Sequence, residues 1–197
     1  MFVPYAYDPR LILLALLSLA SVCLYFVVNR GHARYYLETP LDRIIPFHPA
    51  FIVPYLSFLP LVPASLAVLY ATPVAAKFYV ALIIGSLSGS VVRFFIHAGM
   101  HQPRIRRRDA ADWAVHWMYR HDARAHTFPS THVLVTVVTC YFASAAFPVW
   151  AAVIWAYGSL IVLSTLMVKQ HYLIDVFGGI AFAAAAIYLA QALVSVV

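Results

Sequence analysis

His132 follows the run Thr127-Phe-Pro-Ser-Thr, and His171 is followed four residues later by Asp175. A neutral imidazole can take a phosphoryl group in a covalent step. It needs a carboxylate on its other nitrogen to fix the tautomer and stabilise the cation that forms. If a helix begins near His171, Asp175 lies one turn along the same face. Asp175 is also the only carboxylate within the long apolar runs of the sequence. An acid at membrane depth is costly and reads first as functional. The leaving alkoxide then needs a proton, and His132 is the candidate general acid. Ser130 and Thr131 would open its helix, where free amide hydrogens and the Ser130 hydroxyl make a phosphate seat. The same two residues are ordinary helix caps, and one set of groups can serve both ends.

These residues must be held by a membrane scaffold. The chain is 64% hydrophobic and 10% charged, with mean hydropathy +0.85, against roughly 45–50% and 25% for soluble domains. Runs of roughly 20 apolar residues span a bilayer. Six are predicted, at about residues 11–28, 50–70, 78–98, 133–147, 149–168 and 174–197. The fold class expected is therefore all-α and integral to the membrane, one domain over residues 1–197 formed by a six-helix bundle. The first span reads as a retained helix, since Arg10 alone forms its cationic flank and no small-residue cleavage site follows it before Tyr35. The second carries Pro54, Pro60 and Pro63 behind Pro46 and Pro49, so a kink or break is expected at its start. Gly85 and Gly89, and Gly178-Gly179, read as close helix contacts. Cys23 and Cys140 fall in apolar spans, where thiols are packing groups.

Assigning loops to alternate sides puts every Lys and Arg except Arg10 and Lys77 on one side, with all nine histidines. By the positive-inside rule that side is cytoplasmic; the arginines could instead be there to bind phosphate. In the stretch 109–126, Trp113 and Trp117 are four apart beside a face bearing Asp112, His116 and Arg120, with Arg124 a turn further. An interfacial amphipathic helix between the third and fourth spans fits. Arg120, Arg124 and His126 are then candidates for gripping a head group, although snorkelling explains the arginines equally well.

Together these residues resemble the type-2 phosphatidic acid phosphatase and vanadium haloperoxidase superfamily. Its membrane members carry Lys-x6-Arg-Pro, Pro-Ser-Gly-His and Ser-Arg-x5-His-x3-Asp. Pro129-Ser130-Thr131-His132 matches the second with Thr for Gly, and Ser164-Thr165-x5-His171-x3-Asp175 matches the third with Thr for Arg. The first fails, with Phe95 and Gln102 where Lys and Arg belong. The resemblance implies six helices, a phosphohistidine on His171 oriented by Asp175, His132 as acid, and no metal or other cofactor. The absent cations are the family's phosphate cage. Arg93, Arg104 and Lys169 are the nearest substitutes, Lys169 foremost. The Ser164-Thr-Leu and Gln170-His-Tyr-x-x-Asp175 wording, and Asp42-Arg-Ile-Ile-Pro-Phe-His-Pro-x4-Pro-Tyr55, are similar to the inositol phosphorylceramide synthase-like branch, which transfers head groups. The family implies an active site on the outer, periplasmic face of a bacterial inner membrane, against the charge rule.

Expected partners are an anionic membrane lipid with a phosphate head group and, for transfer, a hydroxyl acceptor such as inositol; no nucleic acid is expected. Hydrolysis of a lipid phosphate or polyprenyl pyrophosphate remains the alternative, since only the attacking hydroxyl differs. Two other classes compete. His97-x3-His101, with His116, His121 and His126, has helical ligand spacing for a metal-dependent membrane oxidoreductase, but no His-His pair occurs. A non-catalytic lipid transporter would spread polar groups through its helices, whereas here they gather at one end.

Overall fold

The computed structural model describes residues 8–28, 32–106, 109–122 and 125–194. Arg107, Arg108, Arg124 and the last three residues of the predicted sixth span lie outside that set. The described chain is mostly helical, in the order α1 (Pro9–Val28), β1 (Tyr35–Tyr36), α2 (Pro40–Ile44), α3 (Ile52–Leu56), α4 (Phe58–Tyr70), α5 (Ala75–Phe95), β2 (Ala98–Gly99), α6 (Ala110–His121), α7 (Thr131–Ala146), α8 (Ala151–Met167) and α9 (Leu173–Val194). Short 3-10 turns at Pro49–Phe51 and Pro148–Trp150 lead into α3 and α8.

Among the described residues five segments are long and apolar enough to cross a membrane: Pro9–Val28, Pro49–Tyr70, Ala75–Phe95, Pro148–Met167 and Leu173–Val194. The predicted fourth span is α7, apolar but only 16 residues long. At 1.5 Å per residue it reaches about 24 Å, short of a roughly 30 Å hydrocarbon core. The predicted second span is divided at Ser57 between α3 and α4. The Ser57 hydroxyl donates to the Pro54 carbonyl at 2.6 Å, meeting an acceptor close to the break.

α5 is the central post, packed against α1, α9, α7 and α4, with α8 reached through α7. Phe78, Tyr79, Leu82, Leu134, Val138 and Phe142 are buried between these helices. In a bilayer the surrounding lipid is as apolar as the core, so close packing and internal hydrogen bonds carry association. Both are present. A Cβ on Gly85 would meet Leu134 Cδ2 at 2.9 Å, and the Tyr79 hydroxyl donates to the Leu66 carbonyl at 2.8 Å.

α5 ends three residues earlier than predicted, because Ile96 turns extended (φ −105°, ψ 100°). The released segment pairs in parallel with the first strand, Tyr35 to Ala98 and Tyr36 to Gly99. Thr127 N donates to the Ala98 carbonyl at 2.9 Å, adding the approach to α7. The segment between the third and fourth predicted spans does form an amphipathic helix. On α6, Trp113 and Trp117 are exposed, while Val115, Met118 and Tyr119 are buried against Ile52, Tyr55 and Val168.

Candidate active site

The loop joining α8 to α9 is built to present His171. α8 closes with Lys169 in the left-handed region (φ 51°), while Gln170 N and His171 N both donate to the Thr165 carbonyl. This is the helix-ending geometry that usually takes glycine, and a lysine there is strained by about 1–2 kcal/mol. Its side chain offsets the strain: the ammonium donates to the carbonyls of Asp42 (3.0 Å) and Ile45 (2.6 Å). Burial pushes the Lys169 pKa below the ordinary lysine value, opposed in part by the carboxylates of Asp42 and Glu38.

Asp175 sits in the first turn of α9, fully buried, and His171 is 6% exposed. Oδ2 of Asp175 accepts from Tyr172 N at 2.9 Å and lies 3.5 Å from Nδ1 of His171. That separation is just beyond a hydrogen bond, as is common before substrate tightens a catalytic pair. Among the described residues His171 Nδ1 and Asp175 Oδ1 have no hydrogen-bond partner. The carboxylate is thus on the Nδ1 side, which leaves Nε2 to attack.

α7 brings the second histidine. Ser130 caps it, its hydroxyl accepting from Val133 N at 3.3 Å, and Ser130 N donates to the Asp175 carbonyl at 3.1 Å. The first turns of α7 and α9 are thereby joined. Gly179 allows the approach, since a Cβ there would sit 2.8 Å from the Ser130 carbonyl oxygen. His132 lies between the rings of Tyr55 (4.4 Å, stacked) and Phe58 (4.2 Å), with its ring 6.2 Å from that of His171. Its Nε2 is buried without a partner among the described residues, as is the Thr131 hydroxyl. A helix's first turn also leaves amide hydrogens unpaired. A phosphoryl group between the rings would meet two imidazoles and neutral donors.

The predicted cations are not gathered there. Lys169 is committed to α2, as described. Arg93 is 1% exposed; it donates to the Pro129 carbonyl at 2.8 Å and to Ser90 at 3.2 Å, beside Gly89, and its Nε is buried without a partner. It fixes the turn into α7 with two of its five N–H groups. Arg104 and Arg120 are exposed, on the extended segment after the second strand and the last turn of α6. His126 is 2% exposed with Nδ1 2.8 Å from the Arg93 carbonyl, which anchors a loop. Arg124 lies outside the described residues. His97 and His101 lose helical spacing where α5 ends. His101 stacks on Tyr36 at 3.9 Å and His97 packs by His126 at 4.6 Å. Among the described residues no three His, Cys, Asp or Glu side chains gather as a metal-ligand group.

Asp42 is the residue that sequence reasoning overlooked. It is 5% exposed; Oδ1 accepts from Leu173 N at 2.8 Å, Oδ2 from Thr39 N and Oγ1, and its carbonyl receives Lys169. One carboxylate closes the capping box of α2 and caps α9 beside His171. The local half was legible, since Thr39-Pro-Leu-Asp42 is a capping pattern with Pro at its first position. The long-range half was not. Asp42→Ala is expected to cost about 2 kcal/mol, read as a Tm lowered by roughly 4–8 °C. Asp42→Asn should recover part of it by keeping one acceptor.

A family model described as the PAP2 superfamily matches residues 48–189. No curated protein and no solved structure matches the chain.

Proposed function

The chain belongs to the PAP2 superfamily, a family of phosphatase and phosphotransferase type, and on that premise we propose an integral membrane enzyme that cleaves a lipid phosphoester through a phosphohistidine on His171. His171 Nε2 attacks phosphorus, Asp175 holds Nδ1 and stabilises the imidazolium, and His132 gives its Nε2 proton to the leaving oxygen. An acceptor hydroxyl then reverses the sequence, with His132 as base. The observation that carries this reading is the buried His171–Asp175 pair, 3.5 Å apart, facing His132 across 6.2 Å.

Between hydrolysis and head-group transfer we favour transfer. A phosphomonoester brings nearly two charges and a phosphodiester one. The buried donors without a partner on the segments that carry the histidines, the Thr131 hydroxyl and the Gln170 amide, are neutral among the described residues, and Arg93 is tied to the Pro129 carbonyl and Ser90. The Thr165 hydroxyl donates to the Val162 carbonyl of its own helix, so it does not replace a cation. Such a seat suits a singly charged phosphodiester. An outer-face site with an acceptor such as inositol belongs to the same reading.

Chelator-treated protein in detergent should be given phosphatidic acid, diacylglycerol pyrophosphate or a phospholipid, with and without inositol. An inositol carrying the transferred phosphoryl group, with no free phosphate, is the expected result. Free phosphate alone would make the protein a lipid phosphatase or polyprenyl-pyrophosphate-type hydrolase, and activity lost only on chelation would overturn the metal-free mechanism. His132→Ala should slow turnover about 10²–10⁴-fold for an alkyl leaving group. It should cost far less for a nitrophenyl ester, whose oxygen leaves without a proton. Equal losses on both substrates would remove His132 from the acid role.

A further inference from the structure

A cavity of about 500 Å³ lies between α1, α3–α4 and α6. Its apolar walls come from Val22, Cys23 and Phe26 on α1 and from Phe58, Leu59 and Val62 on α4. The lining runs from Leu19 to Phe26 and from Tyr55 to Pro63, so it extends about 10–12 Å along both helices. Its rim faces outward, with Phe26 62% and Leu59 54% exposed and Cys23 exposed as well. At membrane depth that rim meets lipid. The polar groups collect at one end: Thr131 and His132 with Asp122 and Tyr25, where the Tyr25 hydroxyl donates to Asp122 Oδ1 at 3.2 Å and fastens α1 to α6. The cavity therefore joins the site through the acid. His171 is not among the described residues that line it. α1 also lies outside the matched residues 48–189, so this wall is not part of what the family assignment covers.

We propose that this cavity holds one hydrocarbon chain of the substrate, and that the chain is attached to the oxygen that leaves. The inference rests on the roles given to His171 and His132 above. The proton donor must stand at the leaving oxygen, opposite the nucleophile in an in-line displacement. A chain lying in a cavity that ends at His132 is thus bonded to that oxygen. The N–P bond forms at His171, the P–O bond to the chain-bearing carbon skeleton breaks, and the His132 proton passes to that oxygen. The lipid alcohol stays in the cavity and the phosphoryl group, with any head group, stays on His171. A volume of this size lies within the roughly 300–1,000 Å³ that encloses one small ligand, so a second chain would remain in the bilayer. A chain moving from lipid to this cavity gains little hydrophobic free energy. Its contribution is positioning, which sets reactive geometry rather than raw affinity.

The test is photolabelling of the full chain in lipid nanodiscs with a phosphatidic acid carrying a mid-chain diazirine, followed by peptide mapping. Adducts concentrated on residues 19–26 and 56–63 are expected. Adducts spread over the outward faces of α8 and α9, with none enriched on α1 and α4, would overturn the proposal. Labelling reads the cavity whether or not the lipid is turned over, so its failure is distinguishable from failure of the phosphoryl-transfer reading. A second arm fills the cavity with Cys23→Trp and Leu59→Trp. The ratio of kcat/KM for long-chain over short-chain substrate should fall at least tenfold; an unchanged ratio would contradict the assignment. With a phosphodiester lipid the chain-bearing product should be diacylglycerol, whereas phosphatidic acid would place the chain on the wrong side of phosphorus.

Discussion

His171→Ala should reduce turnover by roughly four to six orders of magnitude, to the level of uncatalysed reaction in the assay. The size of the loss follows from what the imidazole does. In the proposed mechanism it divides one difficult displacement into two easier ones, and no other described side chain stands four residues before a buried carboxylate at the joined ends of α7 and α9. The fold should tolerate the change. The loop is shaped by backbone bonds from Gln170 N and His171 N to the Thr165 carbonyl and by Lys169 on α2, none of which uses the imidazole. Normal expression and Tm with turnover at background is the expected pairing, measured on lipid substrate by product analysis. Retained turnover would remove the covalent route.

Asp175→Asn should cost about 10⁴-fold in kcat, with a small change in stability. The amide can still accept from Tyr172 N through its oxygen, so the first turn of α9 keeps its cap. It cannot stabilise the imidazolium that forms as the phosphoryl group arrives, and it can hold the wrong tautomer. Asp175→Ala should lose the same rate and a further 1–2 kcal/mol of stability, because Tyr172 N is then left buried without an acceptor. Comparing the two variants by kcat and Tm separates orientation of the nucleophile from capping of the helix. If Asp175→Asn turned over at more than a tenth of the native rate, the carboxylate would be structural only.

Much of the fold was legible because the bilayer imposes one rule on every span. Long apolar runs gave α1, α5, α8 and α9 to within a few residues, and five segments meet the length and composition of a membrane span. The prolines of residues 46–63 announced a broken second helix, although its division at Ser57 depends on local bonding that composition does not carry. The early end of α5 was less accessible. Ile96, His97 and Ala98 read as more helix, yet the chain turns extended at Ile96 and leaves to pair with Tyr35–Tyr36, a partner about sixty residues earlier.

The candidate site divides in the same way. The spacing of His171 and Asp175 is local, and four residues bring them within 3.5 Å although α9 begins only at Leu173. The joining of α7 to α9 through Ser130 N and the Asp175 carbonyl spans forty-five residues and has no sequence signature. Nor has the commitment of Lys169. Two residues before His171 it reads as a phosphate ligand; in the structure a positive φ turns it toward α2. Arg93 reads as a charge near a membrane surface, but a buried guanidinium over the Pro129 carbonyl is a tertiary fact made possible by Gly89. The result is a site whose histidines and carboxylate follow the family pattern and whose cations are largely spent on architecture.

The most direct measurement is to trap the intermediate. Purified protein would be mixed with lipid carrying radiolabelled phosphorus, quenched in alkali within milliseconds to seconds, digested and mapped. Acid-labile, base-stable label is expected on the peptide containing His171, absent in His171→Ala and accumulating when the acceptor is withheld. Label on another residue, or full turnover with no label at any time point, would contradict the phosphohistidine mechanism.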